Sequence, residues 1–203
     1  MWKPFLKKDT VYPLSEKFVS KIYNNITSDL ATNYLRTAKN SGSTAIVIII
    51  YKKNNMSYLN ILNTGDSRCV LSRDNIAVPL TKDHKPNSPD ERKRIEKLGG
   101  EITKDKNDEW RIKDLSVSRA FGDIDAIPFV TCMPDIFNHK LQKTDKFIVI
   151  ACDGLWDVMT NQEVVNFVNT FEISDKVNIS RKLAEHAIEK GSTDNVSVII
   201  VFF

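Results

Sequence analysis

Residues 146–157 have the sequence KFIVIACDGLWD, an apolar run that ends in an aspartate and a glycine. The run is rich in β-branched and aromatic residues and stops at a turn signal, which is typical of a buried strand. Gly154 permits a tight turn directly after the strand, so the strand presents Asp153 at its tip. The stretch therefore predicts a carboxylate at one edge of a β-sheet.

Two more aspartates stand next to apolar runs. Asp194 follows a GST sequence and precedes the apolar run 196–203, and Asp66 lies in a GDSR turn. Carboxylates on strand ends, without a matching cluster of His or Cys, indicate a site for a hard cation such as Mg²⁺ or Mn²⁺ and not for zinc. Taken singly, Asp153 also suits a turn cap and Asp194 a loop-stabilising residue, so the residues alone leave both interpretations open.

The totals describe an ordinary globular chain. It has 203 residues, 41% of them hydrophobic, which is enough for one domain or at most two small ones. The net charge is +3 with 27% charged residues, and acidic residues lie between the basic ones, so nucleic-acid binding is not expected. Cys69, Cys132 and Cys152 lack CxxC spacing and lie in or beside apolar segments, which indicates buried thiols and not disulfides or zinc ligands.

The chain shows no sign of a membrane or secretory segment. Its longest purely apolar run, 45–50, is far shorter than the roughly 20 residues that span a bilayer. Its start lacks the apolar segment of a signal peptide. We therefore expect an intracellular protein, cytoplasmic or nuclear, without a membrane partner.

Apolar spacing and turn residues predict helices alternating with short strands. Helices are predicted at 15–39, 88–99, 161–169 and 177–190, and strands at 44–51, 57–63, 68–73, 76–79, 146–152 and 196–203. The first two strands are expected to form a hairpin, the next two to continue its sheet, and the last to be buried. Antiparallel strands with interspersed helices favour an α+β layered sandwich over a doubly wound parallel fold.

The helix at 88–99 has the clearest end signals. Ser88 is expected to cap it, Glu91 to complete a capping box, and Gly99 to end it in a left-handed conformation.

Six motifs follow one another along the chain: SGSTA at 41–45, GDSR at 65–68, LTKDHKP at 80–86, LSVSRAFGD at 115–123, CDGLWD at 152–157 and STDNVS at 192–197. In this order they resemble the motifs of the metal-dependent Ser/Thr protein phosphatases of type 2C. The resemblance implies one partial phosphatase 2C-like domain over 1–203, with a divergent start at 1–14 and with 15–203 matching the family after its first motifs. The implied fold is α+β, with two packed antiparallel β-sheets flanked by helices, an α-β-β-α sandwich that lacks its first strands.

The resemblance also implies part of a site for Mg²⁺ or Mn²⁺. Asp153 matches the aspartate that binds the first metal, Asp194 matches that metal's second carboxylate, and Asp66 matches a weaker ligand often linked to a third ion. Gly154 and Asn195 are implied as supporting residues. Two cations a few ångströms apart activate a water and neutralise phosphate oxygens, so water is the expected nucleophile and no side chain is implied as catalytic.

Other motif residues are implied to support this site. Arg119 and Asp123 are expected to form a charge-assisted pair beneath it, and Arg68 to pair with a nearby carboxylate. Ser43 and Ser118 are not expected to be nucleophiles. His84 is expected in a connecting loop, and His139 and His186 are not expected to be catalytic. Trp110 and Trp156 are expected to be packing residues, and a variable flap is expected at about 87–111.

The family's amino-terminal motifs are absent from the sequence. These are an arginine that grips phosphate, an acidic pair, and the sequence DGHGG, whose aspartate bridges both metals and whose histidine is the family's general acid. The second metal site therefore has no candidate ligands, and the connection at 112–114 lacks a glycine often found there. A sheet without its first strands exposes edges that favour pairing with another polypeptide, which would supply them.

Two functions from different classes follow from this resemblance. The first is hydrolysis of phosphoserine and phosphothreonine in phosphoprotein substrates by a metal-activated water. Whether this chain is active by itself is left open at this point. The alternative is a non-catalytic pseudophosphatase that binds proteins through the flap or the exposed sheet. A decayed gene fragment without a stable product is a third interpretation.

Overall fold

A computed structural model describes residues 10–172 and 177–203 of the chain. Most of the divergent start predicted at 1–14 lies outside the described residues. The chain divides into two compact units, one with residues up to Gly65 and His84–Asn138, the other with Asp66–Asp83 and His139–Phe203. Each unit has an antiparallel sheet and hydrophobic clusters of its own. The interpretation of 1–203 as one partial domain stays a prediction.

Helices and short strands alternate along the chain. In chain order they are α1 (Glu16–Asn33), α2 (Leu35–Ala38), β1 (Gly42–Ser43), β2 (Ala45–Lys53), β3 (Met56–Thr64), β4 (Arg68–Arg73), β5 (Ile76–Pro79), α3 (Pro89–Lys97), β6 (Thr103–Lys104), β7 (Trp110–Arg111), β8 (Phe121–Gly122), β9 (Asp135–Lys140), β10 (Asp145–Ala151), α4 (Asp153–Trp156), α5 (Asn161–Asn169), α6 (Ile179–Glu189) and β11 (Val198–Phe202). No helix within the described ranges is both long and apolar enough to cross a bilayer.

The helix predicted at 15–39 forms as two pieces, α1 and α2. The break falls at Tyr34, whose φ of −133° is not helical. Just before it, Thr32 Oγ1 donates a hydrogen bond to the Ser28 carbonyl at 2.7 Å. Such a bond from a side chain to the preceding turn weakens and bends a helix. The predicted helix is therefore confirmed, with a break that the apolar spacing does not reveal.

The predicted hairpin is confirmed as β2 and β3. The two strands pair antiparallel from Ala45 opposite Thr64 to Lys53 opposite Met56. Both residues of the turn are asparagines with positive φ, 51° at Asn54 and 59° at Asn55. A two-residue hairpin turn requires this conformation because it matches the twist of the flanking strands. β9 joins the other side of β3 and gives the sheet order β2-β3-β9.

Two apolar clusters hold the first unit together. In the first, Val19 and Tyr23 of α1 pack with Leu62 of β3, so the helix covers one face of the hairpin. Ile95 of α3 belongs to the second, which also contains Ile112, Ala120, Ala126 and Val130. Burial of such side chains is the main stabilising contribution to a unit of this size.

The helix predicted at 88–99 forms as α3, and Gly99 follows it with a φ of 80°, as predicted. The predicted capping box is wrong. The Ser88 side chain makes no capping hydrogen bond, and Glu91 turns away from the start of the helix. The physical reason is that Glu91 finds cationic partners inside the unit, which bind a carboxylate more strongly than a backbone amide does.

Glu91 is the centre of a buried ionic network. Its carboxylate accepts hydrogen bonds from Arg119 at 2.6 Å, from Arg94 at 2.9 Å and from the Ser118 hydroxyl at 2.7 Å. Burial raises the pKa of Glu91, but these donors outweigh it and lower the pKa to about 2. The network ties α3 to the segment that carries the fourth motif.

Asp135 extends the same network. His84 Nε2 lies 3.3 Å from one oxygen of Asp135, and Arg119 Nη1 donates to the other at 2.8 Å. The contact with His84, followed by the charge of Arg119, lowers the pKa of Asp135 to about 2. On its other side, His84 Nδ1 accepts a hydrogen bond from the backbone amide of Gly65 at 3.1 Å. His84 thus lies in a connecting loop, as expected, and has a structural role there.

The second unit is built on a sheet in the order β11-β10-β4-β5, with every neighbouring pair antiparallel. β4 and β5 have the predicted bounds, but the prediction that they continue the sheet of β2 and β3 is wrong. β4 pairs with β10 instead, and β5 pairs with β4. Gly65, with a φ of 104°, lies in the irregular segment between β3 and β4.

The helices of the second unit confirm their predictions. α5 has the predicted bounds and begins with a capping box formed by Thr160 and Glu163. α6 covers most of the predicted helix at 177–190, and Gly191 follows with a φ of 100°. The helices contribute Val164, Val165, Val168, Ile179, Leu183 and Ala187 to the cluster that also contains Val149 of β10.

The prediction that the last strand is buried is wrong. β11 lies at an edge of its sheet, where it pairs with β10 in the described part of the chain, and Ile199 is 59% exposed. Val198, Ile200 and Phe202 pack against the core cluster, whereas Ile199 is exposed, as is typical of a strand that packs with one face only.

The three cysteines are free thiols. Cys69 and Cys132 are buried, as predicted, whereas Cys152 is half-buried. Burial raises the pKa of Cys69 to about 12, so this thiol stays protonated at neutral pH.

The core of the second unit predicts a large effect of truncating α6. Leu183 is fully buried, so Leu183→Ala is expected to lower the free energy of unfolding by about 2–5 kcal/mol through lost burial and a residual cavity. Ile188, on the same helix, is 59% exposed, and Ile188→Ala is expected to change it by less than about 0.5 kcal/mol. Urea denaturation of both variants measures the difference, and equal effects would contradict the assigned core.

The Glu91 network predicts a loss of stability in acid. A carboxylate whose pKa is lower in the folded chain contributes its full stabilisation above the unfolded-state pKa, about 4.3 for Glu. This contribution is lost as the pH falls toward about 2. Glu91→Gln is expected to lower the free energy of unfolding at pH 7 by about 3–5 kcal/mol, because two guanidinium groups lose their buried anion.

Urea denaturation between pH 7 and about pH 2 is the measurement for this network. The wild type should lose stability across the acid range more steeply than Glu91→Gln, which has no carboxylate to protonate there. Glu96→Gln on the same helix is the matched control, because Glu96 forms an exposed pair with Arg92 worth only about 0.3–0.5 kcal/mol. The same acid profile in the wild type and in Glu91→Gln would overturn the role of Glu91.

Candidate functional site

Asp153 lies at the turn that follows the central strand of the second unit. β10 ends at Ala151, Cys152 is extended, and Asp153 is the first residue of the single helical turn α4. The carboxylate accepts a hydrogen bond from the backbone amide of Gly154 at 3.0 Å. Asp153 is half-buried. The predicted position at a strand end is confirmed.

Asp194 lies in the loop between α6 and β11. It is exposed, and its carboxylate accepts a hydrogen bond from the backbone amide of Asn195 at 2.6 Å. The strand was expected to begin directly after Asp194, but β11 begins only at Val198. The segment between them is irregular, so the position of Asp194 depends on contacts other than the sheet ladder.

The loops that carry these two aspartates touch each other. A Cβ atom added at Gly154 would come within 2.4 Å of the backbone carbonyl oxygen of Asn195. Only a glycine allows this close approach of two backbones. The residue after Asp153 and the residue after Asp194 are therefore in direct contact.

Asp66 is buried and lies two residues before the start of β4. Two residues later, Arg68 binds Asp83 with two hydrogen bonds of 2.9 and 2.6 Å, which confirms the expected pair with a carboxylate. The bond to Asp83 raises the pKa of Arg68, and the charges of Asp157 and Asp66 add to this effect. Asp66 thus contributes to the negative potential around the Arg68 guanidinium.

Arg68 also lines a pocket of about 430 Å³ at the start of α5. Its guanidinium lies 5.2 Å from the centre of the Trp156 ring and donates to Asn161 at 2.8 Å. Trp156 is buried in the core and donates its indole N–H to the Ala151 carbonyl at 2.9 Å, so its predicted packing role is confirmed. The pocket walls are therefore fixed by core packing.

Asp66, Asp153 and Asp194 do not form a three-ligand cluster. Across residues 10–172 and 177–203, no three His, Cys, Asp or Glu side chains come close enough together to hold a metal ion. The touching loops provide two carboxylates, Asp153 and Asp194. This donor set matches Mg²⁺, which is commonly bound through one or two carboxylates with waters and a phosphate, and it does not match a site built from protein ligands alone.

The expected pair of Arg119 with Asp123 is wrong. Arg119 binds Glu91 and Asp135, and it donates to the Met133 carbonyl at 3.0 Å. Asp123 has a positive φ of 47°, and its carboxylate fills the space next to the Cα atom of Gly42. Burial raises the pKa of Asp123. The sequence signal that identified Arg119 therefore marks a structural centre of the first unit.

The remaining histidines and Trp110 make contacts of a structural kind. His139 lies 3.1 Å from Asp145, which also binds Arg73 at 2.7 Å. His186 stacks on the ring of Phe167 at 4.7 Å. Trp110, in the predicted flap, is half-buried between the cations of Arg92 and Lys104 at 5.1 and 5.0 Å.

The model of the protein phosphatase 2C family matches residues 2–196 of the chain. A PP2C-like domain-containing protein of Acanthamoeba polyphaga mimivirus is 46% identical over 168 residues, which cover 71% of this chain and 94% of that protein. A probable protein phosphatase 2C of Oryza sativa subsp. japonica is 36% identical over 204 residues, covering 100% of this chain and 52% of that protein. A probable protein phosphatase 2C of Arabidopsis thaliana is 37% identical over 204 residues, covering 53% of its length. The chain thus spans about half the length of these plant relatives.

Solved structures agree with this match. A serine-threonine phosphatase 2C from Toxoplasma gondii superposes with a TM-score of 0.80 at 25% identity, over 93% of this chain and 67% of that one. A sex determining protein of C. elegans superposes with a TM-score of 0.83 at 26% identity, over 96% of this chain and 48% of that one. The predicted α+β class with antiparallel sheets and helices is confirmed. The chain belongs to the protein phosphatase 2C family, whose members are protein serine/threonine phosphatases that act on phosphoproteins and are generally metal-dependent.

Proposed function

We propose that the chain is a phosphatase domain that hydrolyses phosphoserine and phosphothreonine with the help of Mg²⁺ or Mn²⁺. The observation that carries the proposal is the contact between the loops of Asp153 and Asp194, at the end of β10 and before β11. Two carboxylates on adjoining loops suit a hard cation that also binds waters and a phosphate. Membership of the phosphatase family supplies the reaction class.

The residues that would hold the cation are Asp153 and Asp194, with Asp66 as a weaker ligand. A bound divalent cation supplies a water of lowered pKa and offsets the negative charge of the phosphate. The chain's own contribution is to hold the two carboxylates at fixed positions, since each accepts a hydrogen bond from the backbone amide of the next residue.

The contacts of the motif serines support water as the nucleophile. Ser118 is fully buried and its hydroxyl donates to Glu91 at 2.7 Å. Ser43 donates to the Thr44 carbonyl at 2.9 Å. A serine nucleophile must reach the substrate and lie next to a general base; Ser118 is buried within the Glu91 network, and the Ser43 hydroxyl bonds a backbone carbonyl.

A polypeptide that adds strands to the first unit is a further part of the proposal. β2 lies at an edge of the sheet β2-β3-β9 in the described part of the chain, and its side chains Val47 and Ile50 are 41% and 48% exposed. An apolar edge strand of this length pairs readily with another strand. The intracellular location and the absence of nucleic-acid and membrane partners stay predictions from the sequence.

The competing function is a non-catalytic module that binds proteins. The observation that favours it is local: Asp153 and Asp194 each accept a hydrogen bond from the next residue's amide, as turn-stabilising aspartates do. In that case, both aspartates would have a structural role, and divalent cations would leave the chain's properties unchanged.

Calorimetric titration with Mn²⁺ separates these functions. The wild type is expected to bind Mn²⁺, and Asp153→Asn is expected to bind it at least about tenfold more weakly because a charged ligand is removed. Asp108→Asn is the matched control, since Asp108 is 81% exposed in the first unit and its left-handed conformation suits asparagine. Unchanged Mn²⁺ affinity in Asp153→Asn would show the site assignment to be wrong.

Hydrolysis of a phosphothreonine peptide is measured in the same samples. Mn²⁺ binding with turnover supports the phosphatase, and the turnover should fall with the affinity in Asp153→Asn. Absence of both binding and turnover supports the non-catalytic module, whereas binding without turnover means that the cation site is present but the catalytic machinery is incomplete. In that case, the same assay repeated with a fused DGHGG segment would test whether added strands restore activity.

A further inference from the structure

Asp194 lies where the sheet no longer determines the position of the chain. The ladder between β10 and β11 ends with the pair Ala151 and Val198, and the residues from Gly191 to Ser197 form no helix or strand. Asp194 is exposed within this segment. A ligand on such a loop needs other contacts to hold it at a fixed distance from Asp153.

One of these contacts is a hydrogen bond between the two loops. Ser192 lies two residues before Asp194, and its hydroxyl donates to the carbonyl of Gly154 at 2.7 Å. Gly154 is the residue directly after Asp153, and 38 positions separate the two partners in the sequence. Ser192 is half-buried, so water competes with this bond only in part.

Cys152 makes the second contact, on the other side of Asp153. Its thiol lies 3.2 Å from the Asn195 carbonyl oxygen, to which it donates, and it accepts a hydrogen bond from the Ser197 amide at 3.2 Å. The Cys152 amide in turn donates to the Ser197 carbonyl at 3.3 Å. These bonds extend the pairing of β10 and β11 beyond the last residue pair of their ladder.

These contacts lie on both sides of Asp153 and of Asp194. Cys152 and Gly154 flank Asp153, and each touches the loop of Asp194. Asn195 and Ser192 lie on the two sides of Asp194, and each touches the turn of Asp153. The backbone next to each aspartate is therefore tied to the loop of the other. We call this set of contacts, made by Cys152, Gly154, Ser192 and Asn195, the loop clasp.

We infer that Ser192 is a positioning residue, whose hydroxyl sets the separation of Asp153 and Asp194 and thereby the affinity of the site for a divalent cation. The inference rests on the proposed function, because it takes these two aspartates as the ligands. Mg²⁺ requires ligand oxygens at about 2.0–2.1 Å in a near-octahedral arrangement, so a small displacement of one loop disturbs both bonds. Residues that orient metal ligands typically change metal affinity by about 10–100-fold when they are replaced.

Three variants test Ser192. Ser192→Ala removes the hydroxyl and leaves the backbone unchanged, whereas Ser192→Thr keeps a hydroxyl on the same Cβ atom. Thr193→Ala is the matched control, because Thr193 is the exposed neighbour of Ser192 and also loses a hydroxyl. Mn²⁺ affinity is measured by the electron paramagnetic resonance signal of free Mn²⁺, and the melting temperature is measured without metal.

Ser192→Ala is expected to bind Mn²⁺ about tenfold or more weakly than the wild type, with a melting temperature close to that of Thr193→Ala. Ser192→Thr should regain most of the affinity, and Thr193→Ala should match the wild type. Hydrogen exchange should also become faster at the amides of 192–197 in Ser192→Ala and stay unchanged in the core of α6. This exchange measurement needs no metal and reports on the loop itself.

The outcomes distinguish this inference from the proposed function. If the wild type binds Mn²⁺, Asp153→Asn weakens binding and Ser192→Ala does not, the site assignment stands and the positioning role of Ser192 is overturned. If the wild type binds no Mn²⁺, or if Asp153→Asn binds as well as the wild type, the site assignment fails and the role of Ser192 fails with it. A loss of affinity that follows a large fall in melting temperature, without rescue by Ser192→Thr, also overturns it.

Discussion

The antiparallel pairing of β10 with β11 is the constraint on which the candidate site depends. The register sets Ala151 opposite Val198, and an antiparallel ladder brings the end of one strand beside the start of its neighbour. Asp153 follows β10 and Asp194 precedes β11, so both lie beyond this last pair at the same end of the sheet. In the sequence they are 41 positions apart. A slip of one residue would move every side chain of β11 to the opposite face, which the burial of one face prevents.

Much of the second unit could be predicted because its signals are local. Ile148 and Val149 are neighbours in β10 and both are fully buried, so the strand is covered on both faces and reads as a continuous apolar run. β11 is almost as apolar, yet it lies at an edge of the sheet. Its position could not be predicted, because hydrophobicity indicates which residues avoid water and not which strand is central. Gly191 and Gly99 indicated the helix ends correctly, because glycine adopts a positive φ more easily than other residue types.

Contacts between distant residues could not be predicted from spacing. Glu91 has the sequence context of a capping residue, but Arg119, 28 positions later, offers a charge-assisted bond within a buried cluster. For the same reason Arg119 binds Glu91 and Asp135 instead of its expected partner Asp123, which is closer in sequence. The bond between Ser192 and Gly154 is equally invisible in the sequence, because neither residue type indicates a partner 38 positions away. Motif positions thus identified residues that matter, whereas their partners required the fold.

Family membership determines the architecture more firmly than the chemistry, because catalytic power depends on a few side chains placed on a shared fold. A cation held by many carboxylates tolerates some movement of each, since the remaining ligands keep it in place. With two carboxylates, each ligand carries a larger share of the binding free energy, and the rigidity of the loops becomes as important as the number of donors. The loop clasp lies at the two positions where the sheet ladder stops supporting the chain, next to Asp153 and next to Asp194. In the proposed site, the affinity for a cation would therefore depend on the contacts around the aspartates as much as on the aspartates themselves.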